Sequence, residues 1–329
     1  MKTVVIIVLT AGVLSGCAGA QAEPAAAPAS SHPAVTITNC GARVTVAAPP
    51  KRAVAMEQNA TEILLSLGLA GRMAGTSYQT DPVLPQLRAA YDSVPVLAKL
   101  YPSREKVLEA QPDFVYSTFT SAYAGDAAGP RKDLARLNVP AYLSRFACED
   151  PAAGEETVTF DGILAEIREV ATLFGVPGEG ERLAADQQSR LAAAVQRAQG
   201  HSGKSVLFHY SGTTTPYVAG PGGVPAAISD KLGLRNAYGD AQQRWPAGSW
   251  ERIAARNPDV IVLADLTRGG DGDSAQSKID FLRSHPVTAK LDAVRAGRFI
   301  TVPGSSLDPG VRSVSAVEQI SAGLAGLSR

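Results

Sequence analysis

The sequence has few of the residues from which metal centres and nucleophilic sites are built. Its 329 residues include three cysteines and four histidines, and the histidines are scattered at positions 32, 201, 209 and 285. Direct capture of a metal ion needs several ligands close together, so the sequence predicts no metal site. It also lacks the G-x-S-x-G and G-x-G-x-x-G patterns of hydrolases and dinucleotide-binding proteins, and it predicts no cofactor.

An excess of charge of either sign is also absent. The 31 basic and 31 acidic residues cancel, which argues against nucleic acid or an anionic membrane surface as a partner. Recognition must therefore come from local groups. No apolar run reaches the roughly 20 residues that a membrane-spanning helix needs.

The longest apolar run lies at the N-terminus and has the pattern of a secretory signal. It extends from Val4 to Val13 after Lys2, and a small-residue segment then leads to Cys17. The leucine, small residue and glycine before Cys17 resemble the bacterial lipobox. We therefore expect residues 1–16 to be a signal peptide and Cys17 to be acylated, which anchors the protein on the extracytoplasmic face of the cell membrane through lipid alone. An ordinary secretory signal with a chance cysteine is the alternative.

The residues after Cys17 are rich in Ala, Pro and Ser, and we interpret 17–34 as a flexible tether. The remaining chain is longer than most single cores organise, which favours two lobes. An exported compartment permits the two cysteines in this part, Cys40 and Cys148, to form a disulfide. Such a bond would close a loop worth about 4 to 5 kcal/mol in the chain-entropy model. Two buried free thiols are the alternative.

One strand-and-helix unit occurs twice. The segments SREKVLEAQPDFVY at 103–116 and SWERIAARNPDVIV at 249–262 share a serine that can cap a helix, a proline that ends it, and a β-rich run after an aspartate. Each copy lies in one half of the chain, so the halves are predicted to be related lobes.

Strands and helices alternate in both halves, which predicts two small parallel sheets. Between them, the stretch from 178 to 199 is rich in helix-forming residues and long enough for a rigid connector of about 30 Å. We predict an α/β protein with two Rossmann-like lobes, 35–177 and 201–329, joined by a long backbone helix at 178–200, with a ligand cleft between the lobes.

This arrangement resembles the helix-linked periplasmic binding proteins that serve ferric siderophore, haem and cobalamin importers. The likeness is carried by the paired Ser-x-Glu helices, the NATEILLSLG helix at 59–68, and the dipeptide Trp245-Pro246. Segments such as CGARVTVAAPP at 40–50 and DPVLP at 81–85 are most similar to a subset assigned to a precursor of the deazaflavin coenzyme F-420. The resemblance implies a binding protein and not an enzyme, with ferric siderophore, corrinoid or F-420 precursor as ligand.

The resemblance also implies a partner. In this family one glutamate on each lobe docks onto the two permease subunits of an ABC importer, and these glutamates match Glu105 and Glu251. Two carboxylates related by a duplication would suit a symmetric dimer. We expect a monomer that hands its small molecule, with or without iron, to the permease while separate ATPase subunits supply the work.

Candidate ligand contacts follow from the fold, because ligands of α/β lobes bind beyond the carboxyl ends of parallel strands. Aromatic faces with a few guanidinium groups would suit a large, partly flat, anionic molecule. The predicted ligand-binding residues are Gln58, Asn59, Tyr78, Tyr101, Phe119, Tyr210, Trp245, Arg268, Ser306 and Arg312. An exported hydrolase with an unmarked active site and a direct metal-ion-binding protein are the alternative functions.

Overall fold

The computed structural model describes residues 33–148 and 156–327, in which strands and helices alternate. The first half contains β1 (Val35–Asn39), β2 (Ala42–Val46), β3 (Ala53–Ala55), α1 (Gln58–Ser66), β4 (Met73–Ser77), α2 (Arg88–Tyr91), β5 (Val96–Ala98), α3 (Arg104–Glu109), β6 (Phe114–Ser117), α4 (Arg131–Arg136) and β7 (Ala141–Leu143). Strands β3 to β7 form a parallel sheet in the order β5-β4-β3-β6-β7.

The second half builds a similar sheet after two helices. Its elements are α5 (Phe160–Leu173), α6 (Pro177–Arg197), β8 (Ser205–Ser211), β9 (Tyr217–Val218), α7 (Val224–Leu232), β10 (Arg235–Asn236), α8 (Trp250–Arg256), β11 (Val260–Asp265), α9 (Ala275–Ser284), α10 (Asp292–Arg295), β12 (Phe299–Pro303) and α11 (Arg312–Gly326). The parallel order is β10-β8-β11-β12, and β9 pairs antiparallel with β8. The predicted α/β class with parallel sheets is confirmed.

Both sheets are buried on their two faces. Successive side chains of a strand point to opposite faces, so in β6 Phe114 and Tyr116 join one hydrophobic cluster whereas Val115 joins another. In β11, Val262 belongs to the first of these clusters and Ile261 to a third. Burial on both faces explains why these strands are continuous apolar runs in the sequence.

A layer of three helices connects the two sheets. The cluster shared by both sheets includes Ile167 of α5, Leu191 of α6 and Val317 of α11. On the surface of this layer, Arg190 pairs with Glu318 at 2.6 Å. Helix α6 covers most of the stretch 178–200, for which a long helix was predicted. Because the sheets share one hydrophobic core through these helices, a wide separation of the halves would expose apolar surface.

The duplicated unit has the same local structure in both halves. Ser103 accepts a hydrogen bond from the backbone N–H of Lys106 at 3.4 Å, and Ser249 accepts one from Arg252 at 3.2 Å, so both serines cap a helix as predicted. The aspartate after each proline ties its strand to the neighbouring one. The Asp113 carboxylate accepts from the N–H groups that lead into β3, and Asp259 accepts from the first residue of β8.

The hairpin of β1 and β2 was not predicted and is joined covalently to the first sheet. Its turn residues Cys40 and Gly41 both have positive φ, as a two-residue hairpin turn requires. Cys40 is bonded to Cys148, which follows β7, so the predicted disulfide is confirmed. Asn39 adds hydrogen bonds to both backbone groups of Leu143.

Before α10, the chain forms a 3-10 turn at Thr288–Lys290. Residues 32–329 form one compact unit, so the lobe limits 35–177, 178–200 and 201–329 stay predictions. Within the described ranges, none of the helices combines the length and the apolar character needed to cross a bilayer.

Candidate functional site

A cavity of about 190 Å³ lies where the carboxyl ends of both sheets meet. Its walls come from the segments that follow β3, β4, β6, β11 and β12, from the end of β8, and from the loop that precedes α3. The lining residues are Glu57, Gln58, Asn59, Tyr78, Thr80, Tyr101, Phe119, Ser121, Tyr210, Leu266, Arg268, Ser305 and Asp308. Ligands of open parallel sheets bind at this edge, so the cavity is the candidate site.

A second, wider cavity of about 540 Å³ continues the first. The two share Phe119 and Asp308, and the wider one extends to Trp245 and to the disulfide end at Cys148. We call the first cavity the inner cavity, the second the outer cavity, and the two together the groove. Together they offer room for a ligand that the inner cavity alone could not hold.

Aromatic side chains from both halves of the chain line the groove. Tyr78 and Tyr101 stack with ring centroids 4.7 Å apart, and Tyr210 contacts Trp245 at 4.9 Å. Phe119 is 38% exposed although it is apolar. Tyr78 has a φ of 51°, a backbone conformation that costs a bulky residue on the order of 1 kcal/mol or more.

Glu57 is a buried residue of the inner-cavity lining, and among the described residues its carboxylate is held by hydroxyl and backbone donors and by no cation. It accepts hydrogen bonds from the Ser117 hydroxyl at 2.6 Å and the Thr118 N–H at 2.9 Å. The Tyr101 hydroxyl is also within hydrogen-bonding reach. Burial raises the pKa of Glu57 to about 7, and these hydrogen bonds oppose the shift.

Asp308 is a second acid in the groove and is common to both cavities. Desolvation by the surrounding protein raises its pKa to about 7, the nearby Asp81 carboxylate adds to the shift, and Arg244 opposes it. Asp81 itself accepts from the backbone N–H of Ser305 at 2.8 Å. Among the described residues, none donates a hydrogen bond to the Asp308 carboxylate.

Asn59 contributes an unused acceptor. Its Oδ1 is buried and has no hydrogen-bond partner among the described residues. Gly310 packs closely against this amide, because a Cβ at position 310 would come within 3.0 Å of the Asn59 Cγ.

Arg268 is the one basic residue in the described lining of the inner cavity. Its Nη2 donates to Asp273 at 2.7 Å, and its guanidinium lies 5.6 Å from the centre of the Tyr210 ring. The ion pair neutralises much of the charge that Arg268 would otherwise present to a ligand.

The raised pKa of Glu57 predicts a pH dependence of stability. The folded state keeps a proton that the unfolded state loses near pH 4.5, so Glu57 makes the wild type progressively less stable as pH rises from about 4.5 through 7. The penalty at higher pH is on the order of 3 kcal/mol. The free energy of unfolding can be measured in urea for Glu57→Gln and for the wild type. We expect the value of the variant minus that of the wild type to increase by about this amount as pH rises across that range.

Glu105→Gln is the control of opposite sign, because its own N–H and the Ser103 hydroxyl lower the pKa of Glu105. A difference between wild type and Glu57→Gln that does not change with pH would contradict the assignment.

Seven of the predicted ligand contacts line the inner cavity, and these are Gln58, Asn59, Tyr78, Tyr101, Phe119, Tyr210 and Arg268. Trp245 lines the outer cavity. The side-chain oxygen of Gln58 has a structural role, because its Oε1 accepts hydrogen bonds from the backbone N–H groups of Thr80 and Asp81.

Two predicted contacts are corrected. The Arg312 guanidinium is buried in a bidentate ion pair with Glu62, both contacts at 2.6 Å, and it also donates to the Pro82 carbonyl. Ser306 is 1% exposed and lies outside the cavity lining. Both follow β12, but the chain there forms a 3-10 turn that directs Ser305 and Asp308 to the groove instead.

Four other lining residues were not predicted: Thr80, Ser121, Leu266 and Asp308. Leu266 directly follows β11, whereas the other three lie three to five residues beyond the end of a strand. The Asp308-Pro309-Gly310 turn signal could have indicated Asp308, because a turn after β12 must bend over the same sheet edge.

The proposed docking glutamates occupy equivalent positions. Glu105 is in the first turn of α3 and Glu251 in the first turn of α8, and both are exposed. The predicted lipidation site Cys17 and the signal peptide lie outside the described residues. Within those residues, no group of His, Cys, Asp and Glu side chains is arranged to hold a metal ion.

An α/β protein with a groove at the strand ends and an aromatic lining has the features of a solute-binding protein. A family model described as periplasmic binding protein matches residues 54–305. The chain belongs to this family. Its relatives are substrate-binding proteins and not enzymes, which is the class that the sequence predicted.

Individual relatives agree with this assignment. The chain is 24% identical to the vitamin B12-binding protein of Pectobacterium carotovorum over 69% of this chain and 74% of that protein. A periplasmic binding protein from Veillonella parvula is 29% identical, with a TM-score of 0.78 over 89% of this chain and 98% of that structure. A protein of an Fe3+-hydroxamate ABC transport system from Saccharomonospora viridis is similar in fold, with a TM-score of 0.72, 23% identity, and coverage of 88% and 98%.

Proposed function

We propose that this protein is an extracytoplasmic lipoprotein that captures a metal chelate or cofactor-like molecule and delivers it to an ABC permease. The observation that carries the proposal is the groove, which is lined by the Tyr78–Tyr101 stack and the Tyr210–Trp245 pair. Aromatic faces bury large, partly flat molecules well, and the carboxyl-end position is where such a ligand would be held by loops from both sheets.

The candidate ligands are a ferric siderophore, a corrinoid and the F-420 precursor. The names of relatives favour the first two, since the chain resembles vitamin B12-binding proteins and a protein of a ferric hydroxamate system. Each is too large for the inner cavity alone, so the ligand would extend over Phe119 into the outer cavity.

Delivery would use the two equivalent helix starts. Glu105 and Glu251 each lie in a first turn beside a serine cap, where the helix dipole stabilises a carboxylate. Two such charges would meet two related permease subunits. Cys17, acylated as its lipobox-like context suggests, would keep the protein near its transporter.

A ligand screen tests the binding function. The tryptophan fluorescence of the purified protein should be quenched on titration with ferric siderophores, corrinoids or deazaflavin precursors, because Trp245 is in the groove. Trp250 serves as a constant background, since it is buried and its Nε1 donates to the Thr213 carbonyl. We expect Tyr101→Ala and Trp245→Ala each to weaken binding about five-fold or more, because each removes one face of an aromatic pair.

The control is Tyr217→Ala, which removes an exposed aromatic side chain outside the groove and should leave affinity unchanged. The binding function would be wrong if no member of the panel bound with saturable stoichiometry, or if the protein turned over chromogenic esters instead.

A further inference from the structure

The polar groups of the inner cavity have a consistent character, which bears on the chemistry of the ligand. Its described acidic residues are Glu57 and Asp308, and its one described basic residue is Arg268, already paired with Asp273. Asn59 also lines the cavity, and its buried Oδ1 has no hydrogen-bond partner among the described residues. The charged groups of the cavity are therefore mainly hydrogen-bond acceptors, whereas its hydroxyl groups can donate or accept.

We propose that the inner cavity receives an edge of the ligand that carries hydrogen-bond donors, such as carboxamide, hydroxyl or ammonium groups, and discriminates against an edge that carries carboxylate or phosphate. The inference rests on the proposed binding function and narrows its ligand class. An incoming donor would satisfy the Asp308 carboxylate, whereas an anion would leave it unsatisfied and would meet like charge there and at Glu57.

The charges around these acids do not offset this preference. Asp81 lies near Asp308 and adds negative charge, while Arg244 opposes it but already donates to the backbone carbonyls of Phe146 and Glu156. Around Glu57, the contacts come from hydroxyl and backbone donors. The cationic surface that an anionic ligand would need is therefore occupied by the protein itself.

The expectation of an anionic ligand depended on Arg268 and Arg312. The first is paired with Asp273 and the second is buried against Glu62. Because both guanidinium groups are held in ion pairs, the aromatic side chains remain suited to a flat ligand, but the acidic residues of the inner cavity favour ligand groups that donate hydrogen bonds.

Two matched pairs of compounds test the proposal. The first is a corrin ring with peripheral carboxamides, dicyanocobinamide, against the same ring with carboxylates, dicyanocobyrinic acid. The second is ferrioxamine B, which ends in an ammonium group, against its N-succinyl derivative, which ends in a carboxylate. By calorimetry at about pH 8, where the two acids are mostly ionised, the donor-bearing member of whichever pair binds should bind about ten-fold tighter or more.

Two variants assign the discrimination to these residues. Asp308→Asn, alone and combined with Glu57→Gln, should bring the affinities of the two members closer together by about three-fold or more, because each change removes a like charge. The single variant is at the shared edge of the two cavities, so it does not depend on replacing the buried Glu57.

The outcomes distinguish a failure of the donor inference from a failure of the proposed binding function. A carboxylate member that binds as tightly as its partner, or a difference that survives in both variants, overturns the donor inference and leaves the binding function intact. If neither pair binds, nor any other compound of the panel, both the binding function and the inference are overturned.

Discussion

Uptake of the transported compound should be abolished when Glu105 and Glu251 are both replaced by alanine, while the purified variant binds its ligand as tightly as the wild type. Both side chains are exposed in the first turn of a capped helix, and neither lines the groove. Removing them leaves the cavity unchanged but deletes the charges proposed to meet the permease. Loss of a paired charge in such a complex costs about 2 to 5 kcal/mol.

The measurement is accumulation of radiolabelled or iron-loaded ligand in cells that carry only the variant, together with calorimetry on the purified protein. Single variants should each reduce uptake in part, because the duplicated helix starts are proposed to meet separate subunits. Glu109→Ala is the matched control, since it removes another exposed glutamate at the opposite end of the same helix α3. Lost ligand affinity in the double variant would place these carboxylates in binding rather than docking.

Much of the fold could be predicted because it is repeated. The helix caps Ser103 and Ser249 and the strands after Pro112 and Pro258 follow one pattern, and local rules are reliable when two copies agree. The strands were recognisable as apolar runs because both faces of each sheet are buried. The class of protein followed from the family resemblance that the duplicated unit helps to carry.

Elements that depend on tertiary contacts were harder to predict. Helix α9 begins after a glycine-rich loop and has mostly polar residues, and its Lys278 is buried because the ammonium group donates to the Ala264 carbonyl. The β1–β2 hairpin has a Cys-Gly turn, which is less distinctive than Asn-Gly, and depends on the disulfide and on Asn39 for its attachment. Local sequence patterns do not reveal tertiary contacts of this kind.

The site was predictable to the level of strand ends and no further. Tyr78, Tyr101 and Tyr210 line the inner cavity as expected, because the carboxyl ends of parallel strands meet at one edge. Which of Ser305, Ser306 or Asp308 faces the cavity depends on the rotation of a 3-10 turn, which the sequence does not specify. Arg312 could not be assigned because its partner Glu62 is 250 residues away in the chain.

The Arg312–Glu62 pair supports the second large prediction. It joins α11 to α1 across the two halves of the chain, with side chains that are 4% and 0% exposed. Glu62 also accepts from Gln58 and from the Leu84 N–H. We expect Arg312→Ala to lower the free energy of unfolding by about 3 to 5 kcal/mol, because it leaves a buried carboxylate without its countercharge.

Urea denaturation measures this effect, and Arg88→Ala is the matched control. Arg88 pairs with Asp92 on the surface, where the side chains are 62% and 55% exposed, so its loss should cost less than about 1 kcal/mol. The double variant Arg312→Met with Glu62→Leu should recover part of the lost stability, since replacing both charges leaves no buried ion unpaired.

Arg268 provides the contrast that separates a structural arginine from one that meets ligand. Its side chain is 45% exposed and lines the groove, so Arg268→Ala should change affinity for the ligand with little change in unfolding. Arg312→Ala should lower the free energy of unfolding with little change in affinity. An indirect effect on affinity could come only through Gln58, which donates a hydrogen bond to Glu62. A stability unchanged by Arg312→Ala, combined with lost affinity, would return Arg312 to the ligand site.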